Sequence, residues 1–435
     1  MNTQLKTIFV FVFLFLVCTI RGTAQNFSID YPSYQYRNSD ALEISRIVRN
    51  DTATILYMDA YSRPNYWIRL ASGLSLHGNQ TGKNYPIIRS QGFELDKEVY
   101  MPASGNVTFS LQFAPLAPQE KMIDFIEGAN KGDFQIKSIS LNEQEKKGKI
   151  HCHISGKVID SPQSSRLVLM KAHKNPSSSP WLSIPIRNGE FQYDFYADHE
   201  EVYEVFIWND MLTGSWLPSL FFAENGPVSF TLYPASTRKP GLVSTSNPLT
   251  CELQQLESER KAKFNFDSLY AQMNKLYEEN RFESEALQTL WKKIEQVKDN
   301  NEERNNIYRE RDRLEESGEA YTEEGKALLA KIKQLNEEMN QWTIKHIKQN
   351  PSLPGLYVLT SKTEMARKGE DVTPFLNAYQ ETFASLYPEH PYGQQMQMLI
   401  KNGQPEIGKP YVDFSAPDLN GNKVQISKYI QGKVA

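Results

Sequence analysis

Hydrophobic and polar positions alternate through the first half of the chain and shift to helical spacing in the second. Val107, Phe109, Leu111 and Phe113 alternate with Thr108, Ser110 and Gln112, which predicts a strand with one buried face. Residues 53–58 (ATILYM) and 66–70 (YWIRL) are β-prone runs of the same kind. Gly78-Asn79 and Gly82-Lys83-Asn84 mark turns between them, and Pro102 and Pro115 bracket the 107–113 strand. Short strands over residues 42–141 with no intervening helical pattern predict a β-sandwich of immunoglobulin-like size. A second β-rich block follows the polar joint 142–149. Ile150, Cys152 and Ile154 share one strand face there, with His151 and His153 on the other. Residues 202–208 (VYEVFIW) are strongly β-prone, and Val228, Phe230 and Leu232 alternate with Ser229 and Thr231. The Pro/Ser/Thr-rich stretch 234–248 closes this block as a loop.

From residue 251 to 350 the pattern changes. About 38 of these residues are charged and none is proline, which favours long solvated helices. Leu287, Leu290, Ile294 and Val297 are spaced 3-4-3; Leu328, Ile332, Leu335, Met339 and Trp342 are spaced 4-3-4-3. The Asn-rich stretch 300–306 and Ser317-Gly318 interrupt the pattern, so a helical hairpin is expected rather than one rod. Asn350-Pro351 ends the region. Shorter helices are expected from Leu356, over residues 371–386, and from Pro391, a residue suited to the first helical position.

At 435 residues the chain is long enough for several domains, and 40% hydrophobic with 23% charged residues is a globular composition. The first 24 residues read as a secretory leader: Lys6 gives a positive start, residues 8–20 (IFVFVFLFLVCTI) an apolar stretch, and Gly22-Thr23-Ala24 a small-residue cleavage site. A lipoprotein reading of Cys18 meets Phe15, Leu16 and Val17 where a small residue is wanted. No other run is long enough to span a bilayer. The formal charge of −4 becomes −6 once Lys6 and Arg21 leave with the leader. A mildly acidic chain gives no electrostatic reason to expect nucleic acid or an anionic membrane as partner.

Candidate chemistry is sparse. Cys152 and Cys251 remain after leader removal, about 100 residues apart, either as one disulfide or as two structural thiols. His151 and His153 on one strand face offer two metal ligands, with no third identifiable, so surface histidines beside a core cysteine are expected. Trp181, Trp208 and Trp216 raise a sugar-stacking surface against the commoner fate of large aromatics as core. The short apolar stripes of the charged region fit packing within the chain better than a coiled-coil partner site. There is no nucleophile elbow, phosphate-binding Gly-rich loop or H-E-x-x-H motif. No catalytic, cofactor-binding or metal-ligating residue is assigned, and no cofactor is called for.

Residues 408–435 read GKPYVDFSAPDLNGNKVQISKYIQGKVA. With Asp413-Phe414, Asp418, Gly421, Ser427 and Gly432-Lys433-Val434 in this order, the segment resembles the opening of an envelope thioredoxin-fold domain of the TlpA-like or peroxiredoxin-like kind. Tyr411-Val412 replaces the usual Ala-Pro, which leaves the subfamily open. Earlier phrases, YWIRL, MPASGNVTFSLQF and MIDFIEG, resemble an N-terminal β domain joined to such thioredoxins; NPSLPGLYVL and EHPYGQQMQMLI resemble its linker helices. In that family the G-K-V leads into a buried strand and a W-C-x-x-C motif about ten residues later, a thiol pair this sequence does not contain.

The resulting expectation is a multidomain α+β chain. Residues 1–24 form a signal peptide, 25–144 an N-terminal β-sandwich, 145–248 a second β-sandwich-like domain, 249–404 a helical region, and 405–435 the first hairpin of an incomplete thioredoxin-like domain. The resemblance implies an exported bacterial protein of the periplasm or cell envelope in the thiol-disulfide oxidoreductase lineage. Protein disulfides or thiols would be its substrates if the full domain is present, and no activity is expected from these residues alone. The alternative is a non-enzymatic envelope binding module, for protein or glycan, built on the β domains. The sequence gives no oligomeric state.

Overall fold

The computed structural model describes residues 27–130, 132–142, 150–161, 164–176, 179, 181–297, 300–366, 370–402, 413, 415–417, 423–425 and 427–430. The expected leader with Cys18, most of the polar joint, and Phe414, Asp418, Gly421, Gly432, Lys433 and Val434 of the C-terminal motif lie outside them. The described residues fall into two compact units, described separately here. One comprises those up to Asp198, Tyr203–Ser244 and those after Ile407; the other comprises His199–Val202 and Thr245–Glu406.

The described residues up to Ser140 form short strands with period-2 burial. Strands β1 (Phe27–Asp30), β2 (Tyr36–Arg37), β3 (Leu42–Arg49), β4 (Thr54–Tyr61), β5 (Trp67–Ile68), β6 (Ser75–Gly78), β7 (Asn84–Gln91), β8 (Val99–Tyr100), β9 (Asn106–Phe113), β10 (Met122–Ile126) and β11 (Gln135–Ser140) follow in order. Leu56, Met58 and Ala60 of β4 and Phe109, Leu111 and Phe113 of β9 are buried, and the register sets Leu56 opposite Leu111 and Met58 opposite Phe109. Nine strands form one sheet, in the order β1-β3-β4-β9-β7-β6-β10-β11-β2. A two-sheet sandwich was the expectation for this stretch; the structure has one sheet that encloses its own core. Strand β7 makes the difference, pairing with β6 through residues 84–86 and with β9 through 87–91, with a bulge in the second pairing between Ile87 and Arg89. Phe113 of β9 and Phe125 of β10 then meet edge to face, 6.5 Å apart at 84°, inside a single cluster that draws on both halves.

The second block is a sandwich of two four-stranded sheets. Its elements are β12 (Ile150–Val158), β13 (Arg166–Lys171), β14 (Leu182–Pro185), β15 (Glu190–Ala197), β16 (Val202–Ile207), α1 (Trp208–Leu212), β17 (Ser219–Phe222), β18 (Gly226–Leu232) and β19 (Leu242–Thr245). The sheets run β15-β12-β18-β19 and β14-β13-β16-β17. They share a core of Cys152, Ile154, Phe191 and Phe195 from one and Leu167, Leu169, Val205 and Phe221 from the other. Strands β12 and β18 pair in parallel. A Cβ at Gly156 would lie 2.2 Å from the Phe230 carbonyl oxygen, so only glycine allows that approach.

The second unit is helical: α2 (Pro248–Lys263), α3 (Asp267–Glu278), α4 (Glu285–Gln296), α5 (Asn301–Ser317), α6 (Glu323–Gln349), α7 (Leu353–Glu364), α8 (Thr373–Ala378) and α9 (Pro391–Asn402). Ser284, Asn300, Thr322 and Ser352 each accept a hydrogen bond from the backbone N–H three residues on, satisfying an otherwise orphaned donor. Gly318, at φ 74°, ends α5 in the left-handed conformation. Leu287 and Leu290 of α4 pack with Ile307 and Leu314 of α5 as a helix pair, whereas the Asn-rich stretch expected to interrupt the helices is itself helical from Asn301, with only Asn300 outside as the cap. Near the C-terminus β20 (Ser415–Pro417) and β21 (Lys423–Gln425) pair antiparallel ahead of α10 (Ser427–Ile430).

Within the first unit, an arginine joins the nine-stranded sheet to the sandwich. Arg166 of β13 is 0% exposed. Its guanidinium lies 4.1 Å from the ring centroids of both Tyr61 and Trp208 and 5.3 Å from that of Trp181. Its Nη1 donates to the Asp40 carbonyl at 2.8 Å, and Nη2 reaches Asp40 Oδ2 at 3.5 Å. Arg37 covers the same Trp181 ring at 4.7 Å, donates to the Trp181 carbonyl at 3.1 Å, and is paired with Glu43. Burial lowers the Arg166 pKa to about 10, which leaves it charged at neutral pH. A second contact reinforces the seam: Thr108 donates to Asp59 Oδ1 at 2.5 Å, and Arg187 approaches the same oxygen at 3.7 Å.

Arg166→Ala therefore removes the filler of an aromatic slot and orphans the Asp40 carbonyl, with an expected loss of about 3 kcal/mol in urea unfolding followed by tryptophan fluorescence. Arg166→Met, which refills the slot with an unbranched apolar chain, is expected to recover at least half of that loss. Equal stability of Arg166→Ala and wild type would remove the seam from the account.

Candidate functional site

The sequence-derived candidates separate by strand face. His151 and His153 lie on the outer face of β12 while Cys152 is buried in the sandwich core. The register sets His153 opposite Asp194 and His151 opposite Tyr196 on β15. A single oxygen, Asp194 Oδ1, lies 2.8 Å from His151 Nε2 and 3.0 Å from His153 Nδ1. The His151 ring stacks on Tyr196 at 4.8 Å and 12°. One carboxylate oxygen thus engages one nitrogen of each ring. Among the described residues no group of three His, Cys, Asp or Glu side chains has a geometry that could hold a metal ion.

Both cysteines are free thiols. Burial pushes the Cys152 thiol up to about 12, with the charge of Glu224 acting in the same direction, so it is protonated and unreactive at neutral pH. Cys251 is exposed at the start of α2, where its Sγ contacts the Thr245 carbonyl at 3.4 Å. The tryptophans of the sandwich are likewise occupied. Trp181 and Trp208 are buried around Arg166, and Trp216 stacks on Phe206 at 5.6 Å. Trp181 and Trp208 offer no free ring face of the kind a sugar would need, and Trp216 is partly buried with one face on Phe206.

The free aromatic surface lies elsewhere, on the β5–β8 ribbon. Trp67 pairs directly with Tyr100, and Ile68 with Val99. Alternation sends Ile68 and Val99 to the core of the nine-stranded sheet and leaves Trp67 and Tyr100 on the opposite face. They are 48% and 58% exposed, and neighbouring Tyr66 is 59% exposed. Backbone bonds lock the ribbon: Met101 N–H donates to the Tyr66 carbonyl at 2.8 Å, and Asn65 N–H to the Met101 carbonyl at 3.0 Å. Tyr100 donates its hydroxyl to Glu98 Oε2 at 2.8 Å, which fixes the ring. Glu98 also lines a cavity of about 440 Å³ with Ser90, Gly92, Phe93, Glu94 and Val99. A second cavity of about 510 Å³, across β4, β9 and β7, shares Gly92 and presents Tyr57, Arg89, Ser110 and Gln112.

In the sequence YWIRL reads as a strand and as a phrase resembling an N-terminal β domain, with nothing that pairs Trp67 with Tyr100. The signal available was Tyr66-Trp67 beside Tyr100 in β-prone segments bounded by prolines. Their direct pairing is a property of register, which composition does not carry.

A buried carboxylate offers the other candidate. Glu204 of β16 is buried beside Phe206 on the outer face of its sheet, where loss of hydration raises its pKa to about 7 against a hydrogen bond from the His173 backbone. Among the described residues no charged side chain contributes to this shift, and its consequence is for stability. The native state holds the proton between the unfolded carboxyl value and about 7, so stability falls as pH rises through that window. Glu204→Gln keeps the acceptor without the charge. It is expected to match wild type near pH 4 and to exceed it by about 2 kcal/mol at pH 8 in urea titrations. A difference independent of pH would contradict the assignment.

No family model and no curated protein matches this chain. Among solved structures, CBMbc of family CBM26 from Eubacterium rectale Amy13K, solved in complex with maltoheptaose, is similar at 11% identity. That alignment covers 41% of this chain and 93% of CBMbc, with a TM-score of 0.17. The Bacillus anthracis TIE protein is similar at 8% identity over 49% of this chain and 40% of its own, with a TM-score of 0.12. Neither overlay is close enough to carry an inference about fold or ligand.

Proposed function

We propose that this chain belongs to an exported, envelope-associated protein of the TlpA-like thioredoxin-fold kind, in which residues 27–402 place and recognise rather than transfer electrons. One observation carries the reading. Asp413, the acidic residue of the D-F motif, accepts from the Ser427 backbone N–H at 3.0 Å and from Gln425 Nε2 at 2.8 Å. The motif residues Asp413 and Ser427 are thereby tied together across the antiparallel β20–β21 pair. Their spacing acquires a physical reason: the carboxylate satisfies a free N–H at the start of α10 and closes the hairpin. The apolar leader of residues 8–20 supports export. No helix of the described residues is long and apolar enough to cross a membrane. Protein thiols or disulfides are the substrates this lineage implies, acting on a C-x-x-C pair that Cys152 and Cys251 do not supply.

A second reading, a non-enzymatic binding module for protein or glycan, is favoured by the exposed Trp67–Tyr100 pair beside a cavity. The two readings are compatible, since a recognition module ahead of a redox domain would bring that domain to its substrates.

The lineage is tested by the native reading frame beyond the codon for Ala435. A W-C-x-x-C sequence is expected about ten residues after Val434, and a stop codon or unrelated sequence there contradicts the assignment. The present chain, purified, is expected to leave insulin reduction by dithiothreitol at its uncatalysed rate. Acceleration abolished by Cys251→Ser would contradict the recognition role given to these residues.

A further inference from the structure

We propose that the outer face of the β5–β8 ribbon is a glycan-binding site, with Trp67 and Tyr100 stacking successive sugar rings of a neutral polysaccharide and Glu98 accepting their hydroxyls. The inference rests on the binding-module reading and names the ligand class of that site.

Four features select this ligand. First, Trp67 and Tyr100 are cross-strand partners on a ribbon of only two strands, so two aromatic side chains leave neighbouring positions on one face. Exposed neighbouring rings suit the C–H faces of pyranoses; an ammonium group is bound best within a box of rings. Second, exposure near one half for each ring is far above that of the aromatics in either core, and core packing does not account for it. Third, acceptors line the adjoining cavity: the Glu98 and Glu94 carboxylates and the Ser90 hydroxyl, in a lining that includes no cation. Sugar hydroxyls donate to such groups. Glu94 is already paired with Lys97 at 2.7 Å, which lowers the local negative charge a cationic ligand would seek.

The fourth feature is length. The second cavity shares Gly92 with the first and carries Arg89, hydrogen-bonded to Gln112 at 2.7 Å, together with Ser110 and Tyr57. Mixed donors and acceptors in a second cavity that shares Gly92 with the first fit a chain of several sugars better than a single one. Gly92 itself has φ 86°, a left-handed value that favours glycine.

The geometry assigns separate tasks. The rings supply contact area at little cost in side-chain freedom, because each has two rotatable bonds and the Tyr100 ring is held by Glu98. Glu98 keeps acceptor capacity after the Tyr100 bond, since a carboxylate offers about four lone-pair directions.

The test uses the whole chain in native gels cast with soluble amylose, xylan, mannan or mixed-linkage β-glucan, followed by titration calorimetry with oligosaccharides of whichever polymer retards it. At least one polymer is expected to retard the protein. Trp67→Ala and Tyr100→Ala are each expected to weaken binding roughly tenfold or more. Tyr100→Phe, which keeps the ring, is expected to lose only about two- to threefold, and Trp67→Phe supplies a milder variant should the alanine form fail to fold. Affinity is expected to be unchanged between about 0.05 and 0.5 M NaCl and in the presence of choline. The inference is overturned if no polymer retards the protein, if both alanine variants bind like wild type, or if binding is salt-sensitive or displaced by choline. Trp67-dependent capture of an envelope protein, with no polysaccharide bound, would overturn it too while leaving the binding-module reading in place.

Discussion

The first unit depends on one buried cation. Arg166 stands where the nine-stranded sheet meets the sandwich, with rings from three separate segments around its guanidinium and a single carbonyl from Asp40 as its close hydrogen-bond acceptor. A charged group with no exposed area is costly unless its surroundings replace water. Here aromatic faces do much of that replacement, and Arg37 extends the stack by covering Trp181 from another position. The seam is polar at its centre and apolar around it, and it fixes which surfaces of the two β modules meet.

That constraint decides which aromatics are free. Trp181 and Trp208 are committed to Arg166, and Trp216 to Phe206. The richest aromatic stretch of the sequence is therefore structural. Trp67 and Tyr100 are held in the ribbon by backbone pairing and by the small apolar contact of Ile68 and Val99, so their rings remain available. Glu98 links ring to cavity, and a rigid, pre-formed surface results. Rigidity matters because binding must otherwise order each side chain at a cost in entropy.

Much of the fold was legible from residue patterns. Alternation located β9 and its buried Phe109, Leu111 and Phe113; it also separated Cys152 from His151 and His153. Asn300 and Gly318 act through their local backbone chemistry, one as an N-cap and one as a left-handed stop, which a sequence shows directly. What escaped was non-local. An arginine such as Arg166 looks like a surface residue until Tyr61, Trp181 and Trp208 arrive from elsewhere in the chain. The direct opposition of Trp67 and Tyr100 depends on register between segments separated by two strands, β6 and β7, and their connections. The single nine-stranded sheet likewise depends on β7 pairing with two different partners, a choice made by the bulge near Ile87 rather than by any hydrophobic pattern.

The account makes the two β modules a fixed frame that spends its buried tryptophans on the Arg166 seam and presents its ribbon rings to a ligand. Indole N–H resonances of the six tryptophans, followed by NMR during titration with an oligosaccharide of the retarding polymer, test this most directly. The Trp67 signal is expected to shift progressively while those of Trp181 and Trp208 stay in place. Shifts at Trp181 or Trp208 with Trp67 unmoved would contradict the assignment of both surfaces.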